Sequence, residues 1–451
     1  MKDHQSTVAR CRLVIPVTIF FALLPFLLRA QDKPAFARID SLSYKAYLDS
    51  DWKKVLEYAG SGFKNGYDYY YLRMRAGIAE FNLHRPVQAT NHFRKALKFS
   101  LNDPLVLEYL YASCLLSGDQ AESRLLASDY SHVFHKNLGI PARRLITGIF
   151  IEPGYLVNPK ATELQDFRPD AELAHTYLIP SYWYVAAGAS LEAGKRFSAT
   201  LAANIMSFKA TQQFQPRNLD PVVFEVPYEQ RSIYLAGSYY FGRGFYAGLA
   251  GQMMTYTLPL YRWVAGQTGG EYILGAGDWR DLALNASVTK RFPYVTAALS
   301  ADAVRIKGNW YRQAGAGLTL YPTGSINTYL GATGTWQADS LKRPGKLVTH
   351  AFAGRKLFRN MWLEGDYYFG EIRNFSESNA YVVYNNYDII RKRMGLSLLA
   401  YRVRPHLDLA FRYQHTVRTA TWQIYKNSQY IRDQQKEYPV NSFIVGITWR
   451  F

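Results

Sequence analysis

The residues of this 451-residue chain that could do chemistry are charges set into greasy, alternating segments. Glu364 and Asp366 lie on the parity opposite Leu363, Tyr367 and Phe369; Arg393 lies opposite Met394 and Leu396. Asp408 and Arg412 lie opposite Leu409 and Phe411. A strand sends alternate side chains to opposite faces, so each charge occupies a face that its apolar neighbours avoid. If those faces enclose water, the five are pore-lining candidates that set selectivity by patches of charge. If they enclose a filled lumen, opposite charges pair there instead. Counted back from the tight turns, Arg393, Arg412 and Asp366 come within reach of one another at mid-wall.

Material for catalysis is poorer. A lipid-modifying site needs a serine and a histidine together with an orienting carboxylate or amide. Of nine histidines, only His175, His350, His406 and His415 lie in the alternating region. His406 falls at a turn and His415 near the opposite strand end, and no His-x-Ser or Ser-Asn-Gly arrangement follows residue 30. Cys114 is the single cysteine after Cys11, so neither a thiolate metal cluster nor an intramolecular disulfide is expected. No catalytic residue, metal or cofactor is expected, and a lipid-modifying enzyme stands third among the readings.

The elements that must position these charges are strands. The last nine residues show the pattern: Phe443, Val445, Ile447, Trp449 and Phe451 share one parity, and Gly446, Thr448 and Arg450 the other. An apolar face ending on an aromatic residue suits a bilayer interface, where outer-membrane barrels place a terminal aromatic. Phe443, Trp449 and Phe451 are therefore the expected C-terminal signal for barrel assembly. Tyrosine is the compositional anomaly, 36 beside 25 Phe and 9 Trp, and rings with a polar tip suit two interfacial girdles. Outer-membrane lipids and the barrel-assembly machinery are the partners this implies.

The N-terminus reads as a secretory signal over 1–30, with Lys2, Arg10 and Arg12 ahead of an apolar stretch from Leu13 to Leu28. Net charge is +18, and residues 140–451 carry 35 basic and 22 acidic side chains. Those charges are scattered through Tyr-rich alternating segments, which fits anionic headgroups or permeants better than nucleic acid. No nucleic-acid partner is expected.

Residues 41–130 read as helices, with breaks at Asp51-Trp52, Arg85-Pro86 and Asp119-Gln120 recurring every 34 residues. That is the tetratricopeptide period, here about two and a half units. Gly77, Ala89, Phe93, Ala96 and Leu97 fill its small and large positions; Arg73 stands where an aromatic belongs. From about Leu145 the period becomes two. Tight connections at Gly194-Lys195, Gly242-Arg243-Gly244, Phe292-Pro293, Pro322-Thr323-Gly324, Arg359-Asn360 and Arg404-Pro405 alternate with longer ones. The longer ones are 158–172, 213–227, 259–278, 339–345, 374–386 and 419–437, with Gly308 the exception. Short turns on one side and long loops on the other characterise an outer-membrane barrel.

The expected fold is thus a signal peptide (1–30), a periplasmic tetratricopeptide-like helical domain (31–140) and an antiparallel transmembrane β-barrel (141–451). The strand count is about 14, with 12 as the alternative because Pro153 interrupts the first segment. The architecture, the 34-residue spacing and the Phe443–Phe451 strand together resemble tetratricopeptide-fused outer-membrane proteins of Bacteroidetes type, similar to the YaiO outer-membrane family. By that resemblance the chain is a pore or export component for a glycan or other polar solute, with residues 41–130 docking a periplasmic protein. The alternative is a non-conducting structural or assembly protein, with loops 259–278 and 374–386 facing the exterior.

Overall fold

The computed structural model describes residues 36–128, 130, 144–266, 269–340, 344–385, 388–427 and 429–451. The expected signal segment and the 140/141 boundary lie outside the described residues.

Among the described residues six helices form three consecutive pairs: α1 (Phe36–Leu48) with α2 (Trp52–Lys64), α3 (Tyr70–Asn82) with α4 (Pro86–Ala96), and α5 (Pro104–Leu116) with α6 (Gln120–Ala127). The second helices start at Trp52, Pro86 and Gln120, which preserves the 34-residue spacing, and there are three pairs rather than two and a half. Aspartates set the starts. Asp51 caps Lys54 N–H, Asp103 caps Leu105 and Val106, and Asp119 caps Glu122, each taking up amides with no partner inside the helix. Pro86 and Pro104 open their helices, where a missing N–H costs nothing. Gly77 lets α3 and α4 close up: a Cβ there would lie 2.5 Å from the fully buried Phe93 ring. Arg73, the departure from the repeat pattern, is buried with its charge paired to Asp68 at 2.6 Å and its guanidinium 3.6 Å over the Phe63 ring.

The described elements from residue 144 onward are strands and one short helix: β1 (Ile146–Val157), α7 (Ala161–Asp166), β2 (Leu173–Leu178), β3 (Ser181–Ala193), β4 (Phe197–Pro216), β5 (Val222–Gly242), β6 (Phe245–Gly266), β7 (Gly269–Arg291), β8 (Val295–Ile306), β9 (Asn309–Leu320), β10 (Thr328–Asp339), β11 (Lys346–Phe358), β12 (Met361–Ile372), β13 (Phe375–Glu377), β14 (Val382–Tyr384), β15 (Ile389–Arg404), β16 (Leu407–Lys426) and β17 (Gln429–Arg450). Setting aside β2, β13 and β14, fourteen strands pair antiparallel with their neighbours in chain order, and β1 pairs with both β3 and β17. The ring is closed, and fourteen rather than twelve is the count. Pro153 is tolerated because the β1–β17 ladder skips it, running from Ile151↔Ile447 to Gly154↔Ile444.

Closure leaves one apolar surface outside. Leu249 is 71% exposed and Leu299 63%, values that belong to a lipid-facing wall rather than to a water-facing one. Exposed Phe197, Tyr239, Phe241, Phe292 and Tyr294 mark the short-turn end, and Tyr155, Trp183, Trp310 and Trp336 the other. Strands of 12 and 13 residues, such as β8 and β11, span roughly 30 Å at about 3.3 Å per residue and a tilt of about 40°.

Several expected loops are something else. Segments 213–227, 259–278 and 419–437 are mostly strand, prolonging hairpins beyond the membrane band; β6 and β7 stay paired from Phe245↔Lys290 to Gly266↔Gly269. The 158–172 connection contains α7, and its continuation β2 pairs with the far ends of β16 and β4. There Leu164, Ala174, Leu178, Trp422 and Val440 bury one another in a small apolar core. The exception at Gly308 is a two-residue turn, with Lys307 and Gly308 both in left-handed conformation (φ 49° and 81°), the geometry that matches strand twist in a tight hairpin.

The helical pairs rest on the short-turn end. Tyr246 donates to Asp119 at 2.6 Å, Tyr240 donates to Glu122, Arg124 pairs with Glu192, and Arg291 donates to the Ser117 carbonyl. Farther along the rim, Gln88 donates to the Tyr294 hydroxyl. These contacts are polar, the character of an interface between separable domains.

Candidate functional site: a divided lumen

Inward-facing side chains and one hairpin divide the lumen. At the short-turn end a cavity of about 680 Å³ lies between the wall and α6, which contributes Gln120, Ala121 and Arg124. Its wall is largely small and hydroxylic, with Thr147, Ser190, Ser198, Thr200, Ser238, Ser287, Thr289 and Thr448 and with Gly237 and Gly248 between them, and it also carries Glu192, Arg291 and Arg450. Above it lies a second cavity of about 600 Å³ lined by Tyr177, Tyr182, Tyr184, Phe208, Tyr228 and Tyr256 together with paired charges. The rings arise from register: Phe208 on β4 faces Tyr228 on β5 directly, and the two stack with centroids 4.4 Å apart.

The divider is β13–β14. The described part of the segment expected as external loop 374–386, residues 374–385, instead folds into the barrel, with Glu377, Ser378 and Tyr381 lining the upper cavity and Asn379 the lower. Its apolar residues explain the inward turn. Ala380 is fully buried against Ala283, Val304, Ile306 and Tyr311 on β7, β8 and β9, and Phe375 packs with Val348, Tyr368, Ile372 and Ile390. Exposing these groups at a loop tip would forfeit their burial. The tip turns through Ser378, Asn379 and Ala380, all with positive φ (53°, 56° and 63°), a conformation non-glycine residues adopt only when their surroundings hold it.

The five candidate charges separate into two groups. Arg393 is 5% exposed; it meets Glu377 of the hairpin at 3.0 Å and Asp366 at 3.7 Å, donates to the Tyr384 hydroxyl and lies 4.0 Å over the Tyr368 ring. Arg412 lines the same cavity but pairs with Glu152 at 2.6 Å rather than with Asp366. Glu364 also lines it and accepts from the Tyr329 hydroxyl. Asp408 lies apart, near the short-turn end, paired with Arg450 and accepting the Arg402 N–H at 2.8 Å. Phe443, Trp449 and Phe451 all project outward, each about 45% exposed, and the Phe451 N–H donates to the Thr147 carbonyl at 3.0 Å.

Glu152, Glu377 and Tyr384 belong to the site without having stood out in the sequence. Glu152 sits beside Pro153 in the least regular strand. Glu377 and Tyr384 lie in a segment whose length suggested a loop, although Tyr381-Val-Val-Tyr384 carried an apolar signal. Of the histidines, His175 contacts Gln423 and Gln212, and His415 contacts Asn441. Among the described residues no group of three or more His, Cys, Asp or Glu could hold a metal ion.

No family model matches the chain, and no curated protein matches it. Solved structures similar to it include a Pseudomonas aeruginosa FadL homologue, 9% identical over 68% of this chain and 90% of that one, with a TM-score of 0.45. The P. putida toluene transporter TodX is 9% identical over 67% and 90%, with a TM-score of 0.42. The CymD monoaromatic hydrocarbon channel is 8% identical over 68% and 89%, with a TM-score of 0.34.

Proposed function

We propose that this chain is an outer-membrane channel for a polar, uncharged or weakly charged solute, of the glycan class, with its helical domain on the periplasmic side. The observation that carries the reading is the pair of cavities stacked in one closed barrel. The lower is lined mostly by hydroxyls and small side chains, with Arg124, Glu192, Arg291 and Arg450 among them, a surface that stays hydrated and gives a hydrocarbon little to bind. The upper one is lined by four basic side chains, Lys307, Arg393, Arg412 and Arg418, and four acidic ones, Glu152, Glu364, Asp366 and Glu377, so its fixed charges balance and leave no net charge to attract an ion. Tyrosine rings beside hydroxyl and amide groups suit sugar-like molecules, which carry both apolar and polar faces. The 34-residue helix-pair array supports the tetratricopeptide-like, YaiO-like assignment, and residues 41–130 are the surface proposed for a periplasmic protein partner.

Liposome swelling with the full chain tests the channel. Faster swelling in neutral sugars than in sugar acids of similar size is expected. No swelling, from the native barrel or from one without residues 375–384, would sink the reading and favour the non-conducting scaffold. One observation speaks for that second reading: α6 lines the lower cavity, and α6 with the turn before it ties four strand ends together.

A further inference from the structure

We propose that the β13–β14 hairpin is a hinged gate, latched shut by Arg393, and that its departure from the lumen joins the two cavities into one path. The inference rests on the channel reading above and specifies how that channel is controlled.

The way the hairpin is held points to movement. It forms a two-stranded sheet of its own, Phe375↔Tyr384 to Glu377↔Val382, and no backbone ladder joins it to the fourteen-stranded wall. A wall strand is fixed by a row of main-chain hydrogen bonds, so removing one would open the barrel. This hairpin can leave without disturbing any ladder. Its root is the better anchored end: Gln313 brackets the Ser376 backbone with bonds of 2.8 and 2.9 Å, and Asn374 donates to the Tyr311 hydroxyl at 2.7 Å. Its tip makes fewer polar contacts, a 3.3 Å bond from Tyr234 to the Asn379 carbonyl and a ring contact between Tyr234 and Tyr381, and is seated by Ala380 among Ala283, Val304, Ile306 and Tyr311.

Between root and tip stands the latch. Arg393, on wall strand β15, reaches both hairpin strands at once, Glu377 on β13 and Tyr384 on β14. The closed arrangement also carries a cost there: Arg393 Nε, Glu377 Oε2 and the Tyr381 hydroxyl are buried without a hydrogen-bond partner among the described residues. Buried polar atoms left unpaired are destabilising, and opening would return them to water. The closed state is therefore held by a few side-chain contacts and by the burial of Ala380 and Phe375, against a local polar penalty, a balance of few groups of the kind a two-state element needs.

Single-channel recording of the full-length protein in planar bilayers tests this, with heat-modifiable gel migration confirming a folded barrel. Arg393→Met and, separately, Glu377→Gln should raise open probability about tenfold or more over the native protein, the readout being the fraction of time open rather than the conductance, which a lost lining charge also alters. A third protein, with Phe375–Tyr384 replaced by Gly-Ser-Gly, should stay open at the conductance of the native open state; the two ends are cross-strand partners, so a short link closes the gap. Unchanged open probability in both latch variants would overturn the gate, as would a hairpin-less barrel whose conductance differs from the native open level. A folded hairpin-less barrel that passes no current would instead overturn the channel reading itself.

Discussion

The Arg412 guanidinium and the Glu152 carboxylate meet at 2.6 Å although their strands, β16 and β1, are not neighbours. β17 runs between them, and Gly446 on it, level with Ala410, leaves room for the pair to close over the strand: a Cβ at Gly446 would lie 3.6 Å from Glu152 Cγ. The contact thus depends on three strands being in register, and two of the three meet only when the barrel closes.

That geometry predicts a selectivity change with a built-in rescue. Arg412→Glu places two carboxylates together in the upper cavity and should shift permeability toward cations by about threefold or more, read from reversal potentials in a salt gradient. The exchanged pair, Glu152→Arg with Arg412→Glu, should restore the native ratio. A single variant with native selectivity would remove Arg412 from the conduction path.

Two glycines in the helical region make opposite predictions. A methyl group added at Gly60, inside α2, would have nothing within 4 Å, so Gly60→Ala should stabilise by about 0.5–1 kcal/mol through helix propensity. Gly77→Ala gains the same propensity but drives a methyl to 2.5 Å from Phe93, and overpacking at about 1–3 kcal/mol outweighs the gain. Thermal unfolding of the helical signal in the full chain should therefore move upward for the first and downward for the second. Equal shifts of one sign would show that α3 and α4 are not this tightly packed.

Acid should weaken the same domain in a defined window. Burial, followed by the nearby Arg73 and Lys95 charges, pushes His92 down to about 4, with Asp68 pulling the other way. Arg73 can only donate, so His92 Nδ1, 3.2 Å from Arg73 Nη1, accepts and the ring is held neutral. A histidine whose folded pKa lies below its unfolded value binds protons more readily when unfolded. Its contribution is complete above about pH 6.5 and is lost as pH falls toward about 4. Helical melting should follow that curve in the native protein and flatten between those limits in His92→Gln. An unchanged slope in the variant would assign the acid sensitivity to another group.

What was legible in the sequence depended on period. Two-residue alternation in segments such as 405–414 and 443–451 directly encodes which face meets lipid, and the closed ring of fourteen strands follows from it together with the turn spacing. Inward parity placed Arg393 and Asp366 on one face, and they do meet, at 3.7 Å. The partner of Arg412 was not legible, because Glu152 is about 260 residues away and adjacent only through barrel closure. Segment 374–386 misled for a related reason. Its burial is against side chains of β7, β8 and β9, a long-range packing choice that local periodicity does not record.

The terminal aromatic carries the last prediction. Phe451 is 44% exposed on the lipid-facing side, while the Trp449 and Phe443 rings rest against His406 and Tyr413. The closing ladder is paired up to Gly148↔Arg450, so barrel closure does not need the Phe451 ring. Phe451→Ala keeps the backbone N–H that bonds Thr147 and removes only the aromatic group. If that group serves recognition during assembly, the variant should reach the outer membrane at a several-fold lower level while the fraction that inserts melts like the native barrel. Native levels of insertion would show that Phe451 is an ordinary interfacial residue, and a lower level with a less stable barrel would assign it to closure rather than to recognition.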